Sequence, residues 1–289
     1  MASNTRQTPR RVVNGAQRQV ALEPPAVMGV LNVTPDSFSD GGRYAAADAA
    51  VERALAMIEQ GAAIIDIGGE STRPGASPVS TEAELDRVLP VVKALRARSD
   101  IFISVDTSNP EVIEAVCAAG ADMINDIRGL TRPGALEAAI AADAAVCVMH
   151  MQGEPATMQT KPVYDDVVGE IKSYLAERVA ACCAAGMTLD RITVDPGFGF
   201  GKTLAHNLAL LRAVDELGVD GCPVLMGVSR KSMFAHLFDR DDMGSRINGS
   251  LGAAFWATLR GVGIIRCHDV RETAEMVCLA YRLMPLHGG

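Results

Sequence analysis

The chain has 289 residues, 48% of them hydrophobic and 21% charged, with a formal net charge of −8. That is ample for a full core in one large domain, and the acidic balance argues against a general nucleic-acid binder or a basic membrane-surface protein. No apolar run reaches the roughly 20 residues that cross a bilayer, and the seven cysteines fall at irregular spacings with no CxxC pair, which fits reduced thiols in the cytoplasm.

Residues 1–26 carry arginines and lack the apolar centre of a signal peptide, so a tail or a short hairpin around Asn14-Gly15 is expected there. One domain is expected over residues 27–289. Short apolar runs recur in it, and each meets a polar residue. Run 27–33 carries Asn32, 63–67 carries Asp66, 101–106 ends on Asp106, and 122–126 ends on Asn125 and Asp126. Run 145–150 ends on His150, 191–195 on Asp195 and 223–229 on Ser229, while 263–268 carries Arg266 and His268. Runs of this length and composition read as strands buried on both faces.

Between the runs lie Ala- and Leu-rich stretches with charges at helical spacing, over 45–60, 81–98, 110–119, 165–185, 204–217, 229–238, 245–261 and 270–283. Thr81 with Glu84 fits a capping box, and Asn109-Pro110 fits an N-cap followed by proline. Strand and helix alternating with no break in composition predict an α/β fold, a (β/α)8 barrel with an extra helix between strands seven and eight. A doubly wound sheet would carry a switch-point fingerprint in its first βα turn, and none is seen.

The stretch 192–202, ITVDPGFGFGK, places a carboxylate at the end of a buried strand before a glycine-rich loop. Gly201-Lys202-Thr203 imitates the end of a Walker A loop, but Pro196 stands where that motif needs glycine. In a barrel every βα loop faces one end, so Asn32, Asp66, Asp106, Asn125, Asp195, Lys231 and His268 are expected to converge. Taken singly, Asp66 reads as a cap for the turn before Gly68-Gly69, Asp126 as a brace for a neighbouring loop, and His150 as a core histidine. The first and second βα loops, 32–44 and 68–78, are long for such connections and suit closure over a substrate. Arg73, Arg230, Lys231, Arg266 and His268, with the N-terminus of the helix after Ser229, are expected to form an anion site. Opposite them, Asp106, Asn125 and Asp195 suit the donor–acceptor edge of a flat heterocycle, with Phe200 and Met149 against its faces.

The motifs NVTPDSFSDGG, GGESTRPGA, VDPGFGFGKT, GVSRKSM and IRCHDVRET resemble, in order, those of the dihydropteroate synthase family of pterin-binding TIM barrels. The resemblance implies condensation of 6-hydroxymethyl-7,8-dihydropterin diphosphate with p-aminobenzoate, giving 7,8-dihydropteroate and diphosphate. It also implies a folate-pathway role, sulfonamide sensitivity of the family, Mg2+ and a homodimer. By it, Asp106, Asn125, Met149, Asp195, Lys231 and Arg266 match pterin-contacting positions, and Asn32, Arg266 and His268 match the diphosphate end, with Asn32 toward the metal. Thr72, Arg73, Pro74, Phe200, Lys231 and Ser232 match the p-aminobenzoate pocket, and Phe38, Ser39 and Asp40 match the closing first loop. Asp106, Asp195, Lys231, Arg266 and His268 are the expected catalytic set. Cys267 and Asn248 depart from the family pattern at positions outside these contacts. Two alternatives stand beside this reading: a corrinoid-dependent methyltransferase that binds methyltetrahydrofolate, and a catalytically silent pterin-binding paralogue. The helices from Ser229 onward, with small residues 249–254, are the expected packing surface between subunits.

Overall fold

The computed structural model describes residues 11–33, 42–70, 79–153, 158, 160 and 162–284. Two short strands, β1 (Val12–Asn14) and β2 (Gln19–Ala21), pair antiparallel about a tight turn in which the Gly15 N–H donates to the Arg18 carbonyl at 2.7 Å. Then β3 (Ala26–Asn32), β4 (Ile64–Gly68), β5 (Phe102–Asp106), β6 (Met123–Asp126), β7 (Ala145–Met149), β8 (Ile192–Asp195), β9 (Leu225–Met226) and β10 (Ile264–Cys267) form one parallel sheet of eight strands. Its ends meet where Val194 bridges Val224 and the Val194 N–H donates to the Pro223 carbonyl at 3.0 Å, closing a barrel.

The helices are α1 (Gly42–Glu59), α2 (Thr81–Arg96), α3 (Pro110–Ala118), α4 (Ala135–Ala141), α5 (Val167–Ala184), α6 (Leu204–Arg212), α7 (Ser232–Phe238), α8 (Met243–Leu259) and α9 (Val270–Leu283). Both α7 and α8 lie between β9 and β10, which is the extra helix expected of the sequence. Outward-facing strand residues such as Ile65, Ile67, Ile103, Val105, Ile124, Val146 and Val148 pack against the inner faces of these helices in one continuous core.

Inside the barrel the period of two along each strand separates two layers. Ala26, Met28, Ile64, Phe102, Met123, Ala145, Cys147, Leu225 and Ile264 make an apolar floor, and Val13, Val20 and Leu22 of the hairpin plug it from below. The hairpin therefore shares the barrel's core, and residue 27 marks no structural break.

Several sequence expectations are corrected. Helix α4 was missed, since its seven residues are too few for a helical period to show. The expected run 223–229 keeps only Leu225–Met226 as strand. Ser80, not Thr81, caps α2 by accepting from the Ala83 N–H at 3.2 Å, because Glu84 is buried and turned toward Asn109 instead. Stretch 204–217 divides into α6 and a 3-10 turn at Val214–Glu216. Helix α7 begins three residues later than expected because Arg230 takes a left-handed conformation, φ 56°.

Candidate active site at the carboxyl end of the barrel

Above the apolar floor the inward positions turn polar. Asp66 follows Ile64 by two residues, Ser104 and Asp106 follow Phe102, Asn125 follows Met123, and Arg266 follows Ile264, so all point to the axis. Register then sets neighbours: Asp66 lies beside Ser104, Asp106 beside Asn125, and Met149 beside Asp195.

Asp66 is wholly buried and lies at the centre of this layer. It accepts from Ser104 Oγ at 2.7 Å, from Asn125 Nδ2 at 3.2 Å and from Arg266 Nε at 2.7 Å. It does not cap the turn at Gly68-Gly69, as the sequence suggested; its parity with Ile64 sends it inward. Arg266 spans on to Asp106, donating from Nη2 at 3.1 Å. Burial pulls the guanidinium pKa down, but the carboxylates of Asp66 and Asp106 outweigh it and hold the charge firmly. Asp106 is pushed up to about 7 by burial, against the pull of Arg266.

Asp195 ends β8 and accepts from the Gly197 N–H at 2.7 Å. Its carboxyl is raised by burial, opposed by that N–H and by Lys231, Arg266 and Lys202. The Gly227 backbone lies alongside both Asp195 and Arg266, since a Cβ built there would meet Asp195 Oδ2 at 3.8 Å and Arg266 Cδ at 3.9 Å, in ordinary contact. Lys231 Nζ stands 4.2 Å over the Phe200 ring. Burial and Arg266 lower its amine to about 8, while Asp195 and Asp106 hold it up. Asp106, Asn125, Asp195, Lys231 and Arg266 thus meet in one electrostatic cluster. The expectation of separate cationic and acidic walls fails, because Arg266 lies between two carboxylates.

The region expected to face a diphosphate is built differently. His268 Nδ1 lies 3.0 Å from Ser229 Oγ, and a cavity of about 290 Å3 is lined by Asn32, Arg53, Arg230 and His268 among others. Arg53, on α1, was not singled out from the sequence. Arg230 is engaged by Asp269 through two hydrogen bonds, 2.5 and 3.0 Å, so its charge is largely balanced. Ser232 opens α7, and Met149 is buried at the end of β7. A cavity of about 660 Å3 lies at the opposite end of the barrel, around the hairpin turn and Arg191; none of the strand-end polar residues lines it.

Two further buried sets support the rim. Asp126 faces outward and accepts from the Arg128 and Leu130 N–H groups, each at 2.8 Å, and from Ser108, bracing the loop after β6 as expected. His150 is buried beside Lys202. Phe38, Ser39 and Asp40 of the first loop, and Thr72, Arg73 and Pro74 of the second, lie outside the described residues. Asn32 exposes its amide at the end of β3. No group of three His, Cys, Asp or Glu side chains is arranged to hold a metal among the described residues.

Comparison with known proteins bears on the family and the fold. The family described as pterin binding enzyme matches residues 28–268. The dihydropteroate synthase of Escherichia coli strain K12 is 53% identical over 254 residues, covering 88% of this chain and 90% of that one. A crystal structure of Yersinia pestis dihydropteroate synthase with a sulfonamide drug complex superposes with a TM-score of 0.88 at 49% identity, covering 94% of this chain and 98% of that one. The Xanthomonas albilineans dihydropteroate synthase with 4-aminobenzoic acid also gives 0.88, at 45% identity, covering 96% and 100%. The chain belongs to the pterin-binding enzyme family, among the dihydropteroate synthases.

Proposed function

We propose that the protein condenses 6-hydroxymethyl-7,8-dihydropterin diphosphate with p-aminobenzoate, releasing 7,8-dihydropteroate and diphosphate in folate biosynthesis. The observation that carries this reading is the meeting of Asp106, Asn125, Asp195, Lys231 and Arg266 in one buried cluster at the carboxyl mouth of the barrel. Carboxylates beside an amide and a clamped guanidinium suit a bicyclic ring edge rich in N–H donors and carbonyl acceptors.

In the reaction the exocyclic carbon–oxygen bond of the pterin breaks, diphosphate departs with the electron pair, and the arylamine nitrogen bonds to that carbon and then loses a proton. Asp106 and Asp195 lie on the ring side and offset positive charge as it develops there. His268 and Arg266 face the departing diphosphate, with Asn32 at the same rim. A neutral arylamine is already nucleophilic, so no side chain is assigned as a strong base.

We assign Mg2+ to the diphosphate end. The donor set fits only a loosely held ion, since Asn32 offers one neutral amide oxygen and the described residues supply no carboxylate cage. Such a site would suit an ion shared with the substrate's phosphates, which would neutralise leaving charge when bound, and Asn32 would be its oxygen ligand from the protein.

We also propose a cytoplasmic homodimer. All seven cysteines are free, and no helix among the described residues is long and apolar enough to cross a membrane. Within the helices from Ser229 onward, Gly249 packs against Phe234, and Ala253 and Ala254 are buried within the chain. Leu237, Phe238, Met243 and Trp256 are the exposed apolar side chains of α7 and α8 proposed for the contact. Sedimentation velocity showing only monomer at micromolar concentration overturns the dimer.

The deciding assay is diphosphate release. It is expected to require both substrates and Mg2+. Pterin binding without diphosphate release would favour the corrinoid-dependent methyltransferase or the silent paralogue.

A further inference from the structure

Lys202 ends the glycine-rich stretch that imitates a Walker loop, and the proposed chemistry makes no use of it. It is only 4% exposed. Its Nζ donates to the Phe200 carbonyl at 2.8 Å and lies 3.1 Å from His150 Nδ1 and 3.5 Å from the His150 carbonyl oxygen. Burial lowers its amine to about 7, with Asp195 opposing and Lys231 adding to the fall, and the His150 ring is lowered to about 3 by burial and by Lys202. A buried amine at this place is unfavourable, and an apolar side chain of like volume would fill the same space. What the position gains from lysine is its donor.

The loop above it needs one. Gly197, Gly199 and Gly201 all take left-handed conformations, with φ of 68°, 77° and 60°, and glycines hold such a shape poorly by themselves. Outside ties supply the shape. Asn207 Oδ1 accepts from the Gly199 N–H at 2.8 Å, and the Tyr164 hydroxyl donates to the Gly201 carbonyl at 2.9 Å. At Phe200 the N–H donates to the Gly197 carbonyl at 3.1 Å within the loop, and Lys202, at the end of the stretch, ties down the carbonyl. A Cβ on Gly199 would lie 3.1 Å from Lys231 Cδ, so the loop passes close beside Lys231 with little room for a side chain there.

We infer that Lys202 is a positioning residue for the p-aminobenzoate end of the site, pinning the Phe200 carbonyl from beneath so that the Phe200 ring and Lys231 keep their stacked geometry. The inference rests on the dihydropteroate synthase reading of Phe200 and Lys231.

The test compares full-length wild type with Lys202→Met and Lys202→Arg. In Lys202→Met the KM for p-aminobenzoate is expected to rise about tenfold, the worth of one buried hydrogen bond. The dissociation constant for pterin diphosphate, measured by calorimetry without p-aminobenzoate, is expected to stay close to wild type. Lys202→Arg, which restores a cationic donor, recovers part of the KM. A merely structural lysine would instead lower the melting temperature and the active fraction while leaving KM alone. An unchanged KM overturns the inference, as does a parallel rise in both constants. Should Lys202→Met fail to fold, Lys202→Gln carries the same comparison, its shorter amide making at most part of the contact set. Wild type that releases no diphosphate overturns the underlying reading and this inference together; active wild type beside unaltered variants overturns the inference alone.

Discussion

Arg266 lies between two carboxylates, and only Asp106 stands at the rim of the site. Asp66, beneath it, serves through Arg266 and Asn125. Asp66→Asn keeps the shape but removes the charge, leaving a partly buried guanidinium with one anionic partner. Breaking a buried pair in this way costs about 3–5 kcal/mol, and misplacing Arg266 is expected to cut kcat/KM about 100-fold. Chemical denaturation and steady-state kinetics check both; a variant with native stability and activity would make Asp66 passive. Asp195 predicts the opposite trade. Its carboxyl pKa is raised in the fold, so between the unfolded value and the folded one the native state binds more protons and stability falls as pH rises. That penalty grows as pH rises, and Asp195→Asn removes it while still accepting from the Gly197 N–H. The variant is expected to gain melting temperature relative to wild type as pH rises, with pterin binding lost. A difference in melting temperature that does not change with pH would refute the assignment. Lys231 and Asp106 together set a pH profile. Asp106 ionises as pH rises through about 7, and Lys231 loses its proton as pH rises through about 8. With ionised Asp106 and charged Lys231 both required, kcat/KM should rise on the acid side and fall on the alkaline side of that narrow window. Lys231→Arg should abolish the alkaline limb; its persistence would assign it elsewhere.

At the scale of elements, the hairpin is the part that a motif scan passes over. Val13 is fully buried against the barrel floor, and Arg18 anchors the turn by donating to Asp100 at 2.9 Å. Val13→Asp places a carboxylate there with no partner among the apolar floor residues. A loss of roughly 3 kcal/mol or more is expected, with kcat per folded molecule unchanged, since the site lies at the other end. Gln19→Asp, at an exposed position of the same hairpin, should stay within about 0.5 kcal/mol of wild type. Equal effects of the two would show the hairpin to be an ornament. The same parity rule that puts Val13 inward could have placed Asp66 from sequence: counting by two from Ile64 reaches it. The residue was misread because a carboxylate before two glycines also suits a turn, and local chemistry cannot separate the two. Thr81 and Glu84 illustrate the same limit, as Glu84 is drawn to Asn109, 25 positions away, rather than to the helix end.

For the whole molecule, the barrel closes around β9 through short joins, with two residue pairs to β10 and a thinner seam to β8. β3 and β4 share a register of five residue pairs, whereas β8 and β9 meet through a single bridge, Val194 to Val224. Native-state hydrogen exchange is expected to open the Val194 amide at a lower free energy than Ile65, which sits mid-sheet. Equal protection would mean that the barrel opens only as one unit. The alternation of strand and helix, the polar strand ends, the long first loops and the family itself are determined by the sequence alone, because each is a matter of period, run length or local motif. Which carboxylate holds Arg266, which cation Asp269 balances, what Lys202 supports and where the hairpin docks were decided only by tertiary structure. Those outcomes depend on pairings across as many as 200 positions, and a burial that turns a locally plausible cap or rim charge into part of a packed interior.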